Sequence, residues 1–154
     1  MNIELRKTKS GQGVFAKVLI PANYPIIEFT GDLFNKSTLN KNSYYIQINN
    51  DRYIGPSGKL DDYINHSCDP NCYVHIAGNR AFLYSFYIIK PNMQLTFDYS
   101  ITSTDSLEDW HMKCTCDSFK CRDIISGFSY LPQDIKQFYI KNNMVPKYIL
   151  KANK

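Results

Sequence analysis

Short apolar runs dominate the first hundred residues of this chain. They are rich in β-branched and aromatic residues, several alternate apolar with polar positions, and glycine, asparagine and proline stand between them. This pattern is typical of short β-strands joined by turns. Strands are predicted at 13–20, 25–29, 44–48, 71–78, 80–89 and 93–97.

The pattern changes after Tyr99. The polar and acidic stretch at 100–113 is typical of a mobile connector, and near the end of the chain Pro132 is the predicted first residue of a helix. Residues at helical spacing follow it, namely Ile135, Phe138, Tyr139 and Asn142. The sequence therefore predicts a mostly β fold with one C-terminal helix, whose apolar face docks on the domain.

Composition narrows the classes of protein. The 154 residues suit one domain with a substantial core, and a net charge of +4 without a long basic block argues against direct binding of nucleic acid. No apolar run reaches the roughly 18 residues that a membrane span needs. The opening residues lack an apolar signal core, so a reducing, intracellular location is expected. There, five cysteines indicate metal binding or chemistry rather than disulfides.

Three cysteines form a tight cluster, Cys114, Cys116 and Cys121, in a C-x-C-x4-C pattern. Such thiols suit tetrahedral zinc if a fourth ligand comes from elsewhere, and buried or incidental cysteines are the alternative interpretation. Candidate fourth ligands are Cys68, Cys72, His66, His75 and His111. A zinc ion here would clamp the segment 101–126 against the loop 65–72.

Five motifs follow one another in the order found in one protein family. They are "GQG" (11–13), "EFTGD" (28–32), "INHSCDPNC" (64–72), "LTFDYS" (95–100) and "CTCDSFKC" (114–121). Together they span roughly residues 4 to 125, and the chain resembles a SET-domain protein-lysine methyltransferase with a post-SET zinc segment, of the small viral or bacterial type. The resemblance implies several small sheets with a threaded pseudoknot. It divides the chain into a SET domain at 1–100, a post-SET zinc-binding segment at 101–126 and a C-terminal helical extension at 127–154.

The resemblance implies an S-adenosylmethionine-dependent protein-lysine N-methyltransferase, with the ability to di- or trimethylate. Its partner would be a protein or peptide with a lysine, a histone tail among the candidates, in a nucleus or cytoplasm (a host's, if the chain is viral or a pathogen's effector). One rival is a zinc-stabilised SET-like binding module without turnover. Another is a cysteine hydrolase that pairs Cys68 with His66.

By resemblance, the cofactor-binding residues are Gly11, Gln12, Gly13, Asn65, His66 and Tyr99. The two glycines remove side chains where the backbone approaches a ligand, or adopt a positive φ. Either Trp110 or Phe119 would stack on the adenine, unless both only pack the zinc segment.

Tyr99 resembles the catalytic tyrosine, and Tyr44 a second channel tyrosine. Tyr45 is the alternative to Tyr44, since neighbours on a strand face opposite sides. Phe97 stands at the position that sets how many methyl groups fit, unless it is only a core residue.

Cys68 resembles the fourth zinc ligand beside Cys114, Cys116 and Cys121. Cys72 would then be a small buried residue, or would replace Cys68 as the ligand. The chain departs from the family at Asp62, where arginine or a small residue is usual, and at Phe29, where tyrosine is usual. The contacts that select the substrate are therefore the least determined by the sequence.

Overall fold

The computed structural model describes residues 1–9, 11–39, 45–105 and 109–152. Tyr44 lies outside these ranges. Twelve short strands occur in the described part of the chain: β1 Ile3–Thr8, β2 Gly11–Ala16, β3 Pro25–Phe29, β4 Leu33–Asn35, β5 Ile46–Gln47, β6 Arg52–Ile54, β7 Asn65–His66, β8 Cys72–Ala77, β9 Arg80–Ser85, β10 Thr96–Phe97, β11 Met112–Lys113 and β12 Ile124–Ile125.

The strands form small sheets. β1 and β2 make an antiparallel hairpin, β3–β9–β8 and β4–β6–β5 make two three-stranded antiparallel sheets, and β11 pairs with β12. The predicted mostly β fold is confirmed. Several predicted strands are shorter in the structure, because bends and turns interrupt the apolar runs.

Two α-helices follow the strands, α1 Gln133–Lys141 and α2 Lys147–Ala152. The prediction of a helix at the C-terminal end is confirmed, and the second, shorter helix is an addition to it. Pro132 lies one residue before α1 as its N-cap, so its predicted place as the first helical residue is wrong. Its extended ψ of 146° lies outside the helical range.

One parallel pair, β7 with β10, determines where the site forms. Thr96 is opposite Asn65 and Phe97 is opposite His66, and the amide of Ser67 donates to the carbonyl of Phe97 at 3.2 Å. This pairing joins the "INHSC" and "LTFDY" segments, which are separated in sequence by the whole β8–β9 hairpin. Residues from both segments therefore share one wall of the molecule.

Among the described residues, the buried side chains form three clusters. The largest lies among the sheets, and the third surrounds Cys68, Cys114 and Ile125. The second joins Ile101 to the C-terminal helices. Ile101 is fully buried in a 3-10 helix at Tyr99–Thr102, so the prediction of a mobile connector is wrong for this part, where the chain is packed.

In the described ranges, the helices are too short and too polar to cross a lipid bilayer.

Candidate active site and metal centre

A cleft of about 1230 Å³ opens beside the parallel pair. Residues from the β1–β2 hairpin, from 61–67, from β10 and from 109–117 form its walls. The predicted site residues among them are Asn65, His66, Phe97, Tyr99, Cys114 and Cys116. The glycine motif at 11–13 is not part of the cleft wall. It lies next to the cleft, because Lys9 and Phe15, on either side of the motif, line the cavity.

Tyr99 is held at both its ends. Its hydroxyl donates to the carbonyl of Ile64 at 2.8 Å, and its amide donates to Nδ1 of His66 at 3.2 Å. Its ring lies 4.8 Å from the ring of Phe97. The hydroxyl is thus fixed against a backbone carbonyl at the cleft wall, as a residue that orients a reacting group must be.

Phe97 belongs to both the core and the cleft. It is 4% exposed, and its ring meets the ring of Phe29 edge to face at 5.9 Å. The phenylalanine at position 29 therefore packs beneath the predicted methylation-limit residue, and neither ring brings a hydroxyl to this part of the cleft.

Of the two candidates for the second channel tyrosine, Tyr45 lies within the described residues and Tyr44 does not. Tyr45 lines the cleft, and its ring packs edge to face on Phe34 at 5.3 Å. The prediction for Tyr44 falls outside the described residues and stays a prediction.

The glycine motif supports Asn65. The side-chain amide of Asn65 donates to the carbonyl of Gln12 at 2.8 Å. A Cβ at Gly13 would lie 2.9 Å from that amide nitrogen and would overlap the side chain of Gln94. Gly11 has a φ of +116°, which strongly favours glycine. One glycine thus provides an unusual backbone angle, and the other allows Asn65 and Gln94 to approach.

Asp98 lies fully buried behind Tyr99 and His66. The guanidinium of Arg122 donates to both its carboxylate oxygens at 2.7 and 2.8 Å, and the amide of Ser100 and the hydroxyl of Tyr139 donate to it at 3.1 and 2.9 Å. No motif in the sequence predicts this group of residues. The one signal is Asp98 itself, a carboxylate between the two aromatic residues of the "LTFDY" motif, because a buried carboxylate needs a partner.

The protonation of His66 follows from its contacts. Its Nδ1 accepts from the amide of Tyr99, and burial lowers the pKa of His66 to about 4 against the opposing effect of Asp98. The ring is therefore neutral with its proton on Nε2, which lies 3.3 Å from Sγ of Cys68. His66 is thus placed to donate a hydrogen bond to the Cys68 sulfur.

Three of the predicted zinc ligands come together with His66. The ligand atoms of His66, Cys68, Cys114 and Cys116 all lie within 4.8 Å of one another. The thiol of Cys121 interacts with those of Cys114 and Cys116. Because Nε2 of His66 carries a proton, the four thiols fit tetrahedral zinc better than a set that includes His66.

The two remaining questions about the cysteines concern reactivity and the role of Cys72. Burial raises the pKa of the Cys68 thiol to about 11, which disfavours the nucleophilic thiolate of a hydrolase. Burial also acts to raise the pKa of Cys116, but hydrogen bonds from backbone amides and neighbouring thiols outweigh it and lower this pKa to about 7. Cys72 is fully buried and its thiol lies on the side chain of Asn71, so it stands apart from the cluster.

The two aromatic candidates for stacking on the adenine lie in different surroundings. Trp110 lines the cleft and packs on the cysteine cluster, whereas Phe119 is fully exposed. Of the two aromatic residues, Trp110 is therefore the candidate for stacking on a bound base.

Asp62 stands at the position where the family usually has arginine or a small residue. Its carboxylate accepts from the amides of Ser57 and Gly58 at 2.9 and 2.7 Å and so fixes a turn.

The chain is similar to known proteins over most of its length. The model of the SET domain family matches residues 11–100. Histone-lysine N-methyltransferase TRX1 of Oryza sativa subsp. japonica is 31% identical over 144 residues, which cover 82% of this chain and 14% of TRX1. Histone-lysine N-methyltransferase Set2 of Drosophila melanogaster is 28% identical over 141 residues, which cover 79% of this chain and 6% of Set2. The chain thus spans a small part of the length of these curated relatives.

Solved structures have the same architecture. KRYPTONITE, crystallised with mCHH DNA, an H3(1–15) peptide and SAH, superposes with a TM-score of 0.67 and 26% identity, over 81% of this chain and 29% of KRYPTONITE. SUVH6 of Arabidopsis thaliana, in complex with SAM, gives a TM-score of 0.66 and 25% identity, over 79% of this chain and 32% of SUVH6.

Proposed function

Because this chain belongs to the SET domain family, we propose that it is an S-adenosylmethionine-dependent protein-lysine N-methyltransferase. The observation that carries the proposal is the position of the Tyr99 hydroxyl, 2.8 Å from the carbonyl of Ile64 at the wall of the cleft. The naming of relatives as histone-lysine methyltransferases and the SAH or SAM bound in the neighbouring structures support it.

The reaction needs a neutral lysine amine. With a pKa near 10.4, only about 0.04% of free lysine is neutral at pH 7, and lowering that pKa to 7 takes about 4.6 kcal/mol. When bound, S-adenosylmethionine would supply a methyl group on a cationic sulfonium, and the N–C bond to the neutral amine would form in line as the C–S bond breaks and S-adenosylhomocysteine leaves as a neutral thioether. The aromatic rings of Phe97, Tyr99 and Tyr45 exclude water from the amine and so disfavour its charged form.

Once the amine is neutral, orientation is the remaining task of the protein. The hydroxyl of Tyr99 and the carbonyl of Ile64 form a polar pair on an otherwise aromatic wall. We assign to this pair the role of directing the amine lone pair along the cleft. Fixed geometry of this kind removes much of the entropic barrier to a reaction between two molecules.

The cofactor would lie at the end of the cleft formed by the hairpin and the parallel pair. Asn65 and His66 would hold it, with the backbone at Gly11, Gln12 and Gly13 behind them. This assignment fits the chain, because Gly13 leaves room for Asn65 and the neutral ring of His66 is locked by Tyr99.

Zinc would be bound by Cys68, Cys114, Cys116 and Cys121. The ion would join the loop of Cys68 to the post-SET segment and so close the cleft over its cofactor end. The low pKa of Cys116 and the amide of Arg122, which donates to Sγ of Cys68 at 3.4 Å, suit thiolate ligands.

The substrate would be a protein or peptide with a lysine, and the H3 peptide bound by KRYPTONITE makes a histone tail the first candidate. Di- or trimethylation of the lysine is proposed because Phe97, at the position that sets how many methyl groups fit, has no hydroxyl. The location would follow the substrate, in a nucleus for a histone or in the cytoplasm for another protein, and in a host cell if the chain is viral or an effector.

The test is transfer of labelled methyl groups from S-adenosylmethionine to a panel of purified histones and to a whole-cell lysate, with the Tyr99→Phe variant as a control. Labelling of a protein band by the wild type and its loss in the variant is the expected result. Binding of the cofactor without any labelling would instead identify a SET-like module without turnover.

A further inference from the structure

We propose that the C-terminal extension, residues 127–152, is a positioning element of the catalytic cleft, acting through the hydroxyls of Tyr139 and Tyr148. The inference rests on the proposed function for its kinetic readout. It goes beyond packing, because each hydroxyl reaches a different part of the site.

Tyr139 acts on the segment that carries the catalytic tyrosine. Its hydroxyl, on the buried side of α1, donates to Oδ2 of Asp98 at 2.9 Å, across 41 positions of sequence. Asp98 is followed directly by Tyr99, and its other oxygen lies 3.6 Å from Nδ1 of His66. The same Nδ1 accepts the amide of Tyr99. A change at the Asp98 carboxylate is therefore passed to both His66 and Tyr99.

Tyr148 acts on the walls of the cleft. Its hydroxyl, on α2, lies 2.6 Å from the carbonyl of Gln47 and 2.7 Å from the carbonyl of Thr102. Gln47 and Thr102 both line the cleft, and they belong to separate elements, β5 and the 3-10 helix that follows Asp98. One hydroxyl thus fixes the spacing of two walls of the cleft.

Both tyrosine hydroxyls make these contacts inside the protein, away from solvent. Tyr139 is 2% exposed and Tyr148 is 7% exposed, and burial raises the pKa of both hydroxyls, so each remains a proton donor. A phenylalanine at either position would keep the ring in the cluster around Ile101 and lose only the hydrogen bond. Asp98 would then lose one of its donors while keeping Arg122 and Ser100. The carbonyls of Gln47 and Thr102 would lose the hydroxyl that lies between them, so each loss loosens the geometry of its part of the site.

The two contacts predict different kinetic effects. Tyr139→Phe should lower kcat at least fivefold, with KM for the peptide and the affinity for SAH within twofold of wild type, because it disturbs the reacting geometry. Tyr148→Phe should raise KM at least fivefold with a smaller change in kcat, because it loosens the spacing of two cleft walls. The control is Tyr130→Phe, at a half-exposed tyrosine of the same extension, which should match wild type.

A second measurement does not depend on turnover. Hydrogen exchange at the Tyr99 amide should be at least tenfold faster in Tyr139→Phe than in wild type, while amides in the β8–β9 hairpin keep their rates. Unchanged kcat and unchanged exchange in Tyr139→Phe would overturn the inference. So would a loss of kcat that disappears on cooling in step with recovery of the folded fraction. If the wild type transfers no methyl group at all, the proposed function fails, and the exchange result alone decides this inference.

Discussion

Arg122 and Asp98 form a two-pronged ion pair inside the protein. Nη1 and Nη2 of the arginine lie 2.7 and 2.8 Å from the two carboxylate oxygens, the carboxylate is fully buried, and the arginine side chain is 11% exposed. Arg122 directly follows the zinc-segment residue Cys121, and Asp98 directly precedes Tyr99. The pair therefore connects the candidate metal centre to the candidate catalytic residue.

Breaking this pair should be costly. Arg122→Gln should lower the free energy of unfolding by about 3 kcal/mol, because it leaves a buried carboxylate without its charge partner. The control is Arg80→Gln, which breaks a second two-pronged ion pair, formed on the surface by Nε and Nη2 of Arg80 with Glu28. Urea denaturation in the presence of zinc measures both variants. Equal effects in the two would contradict the assigned role of burial.

Zinc analysis should find one ion per chain. Cys68→Ser should lose most of the metal, whereas Cys72→Ser should keep it, because Cys72 stands apart from the cluster. X-ray absorption at the zinc edge separates the two ligand sets. Four sulfurs at about 2.3 Å are expected, and a nitrogen at about 2.0 Å would contradict the all-cysteine ligand set.

Tyr99→Phe should reduce kcat about 100-fold or more while SAH still binds, since the hydroxyl acts mainly in the reacting geometry. Steady-state kinetics and calorimetry with SAH give the two values. Tyr84→Phe is the matched control, because Tyr84 stacks on Tyr73 outside the cleft. A Tyr99→Phe enzyme with near-normal kcat would remove Tyr99 from the mechanism.

Phe97→Tyr should restrict the product to fewer methyl groups. Wild type should progress to di- or trimethyl-lysine, whereas a hydroxyl at position 97 would give the amine a polar partner that each further methyl must displace, at about 1–3 kcal/mol. Mass spectrometry of a peptide over long time courses follows the distribution. The control Phe82→Tyr, at a residue outside the cleft, should leave the product distribution unchanged. An unchanged distribution in Phe97→Tyr would show that another residue sets the methylation limit.

Gly13→Ala should weaken SAH binding at least tenfold, because the added Cβ displaces Asn65 and Gln94. Gly78→Ala offers a comparison at a hairpin turn with a φ of +61° and open space around it. That variant should lose about 1 kcal/mol of stability from backbone strain and bind SAH normally. Equal SAH affinity in the two variants would mean that Gly13 has no role in shaping the cofactor site.

Local patterns in the sequence predict the local parts of this fold. The strand at Pro25–Phe29 has its predicted bounds, and α1 begins one residue after Pro132. The hydrophobic pattern does not predict α2, because a six-residue helix shows less than two turns of periodicity. Its stability comes from the burial of Tyr148 and Ile149, which no local pattern reveals.

The site divides in the same way. The motifs predict that Tyr99, His66 and Cys68 matter, and the structure places them side by side. The contacts of Asp98 with Arg122 and Tyr139 join residues 24 and 41 positions apart. Only the chain's path in space determines such pairs, so the residues that support the site could not be predicted from spacing.

The parallel pairing of β7 with β10 also affects the order in which the chain folds. The β1–β2 and β8–β9 hairpins join neighbouring segments and can form early. The contacts that complete the cleft are distant in sequence, 46 positions for Cys68 with Cys114 and 101 for Tyr148 with Gln47, and must wait for large loops to close. During synthesis, a nascent chain that ends before α2 lacks the last of them. The walls of the cleft are therefore held together only after α2 has been synthesised and has packed against them.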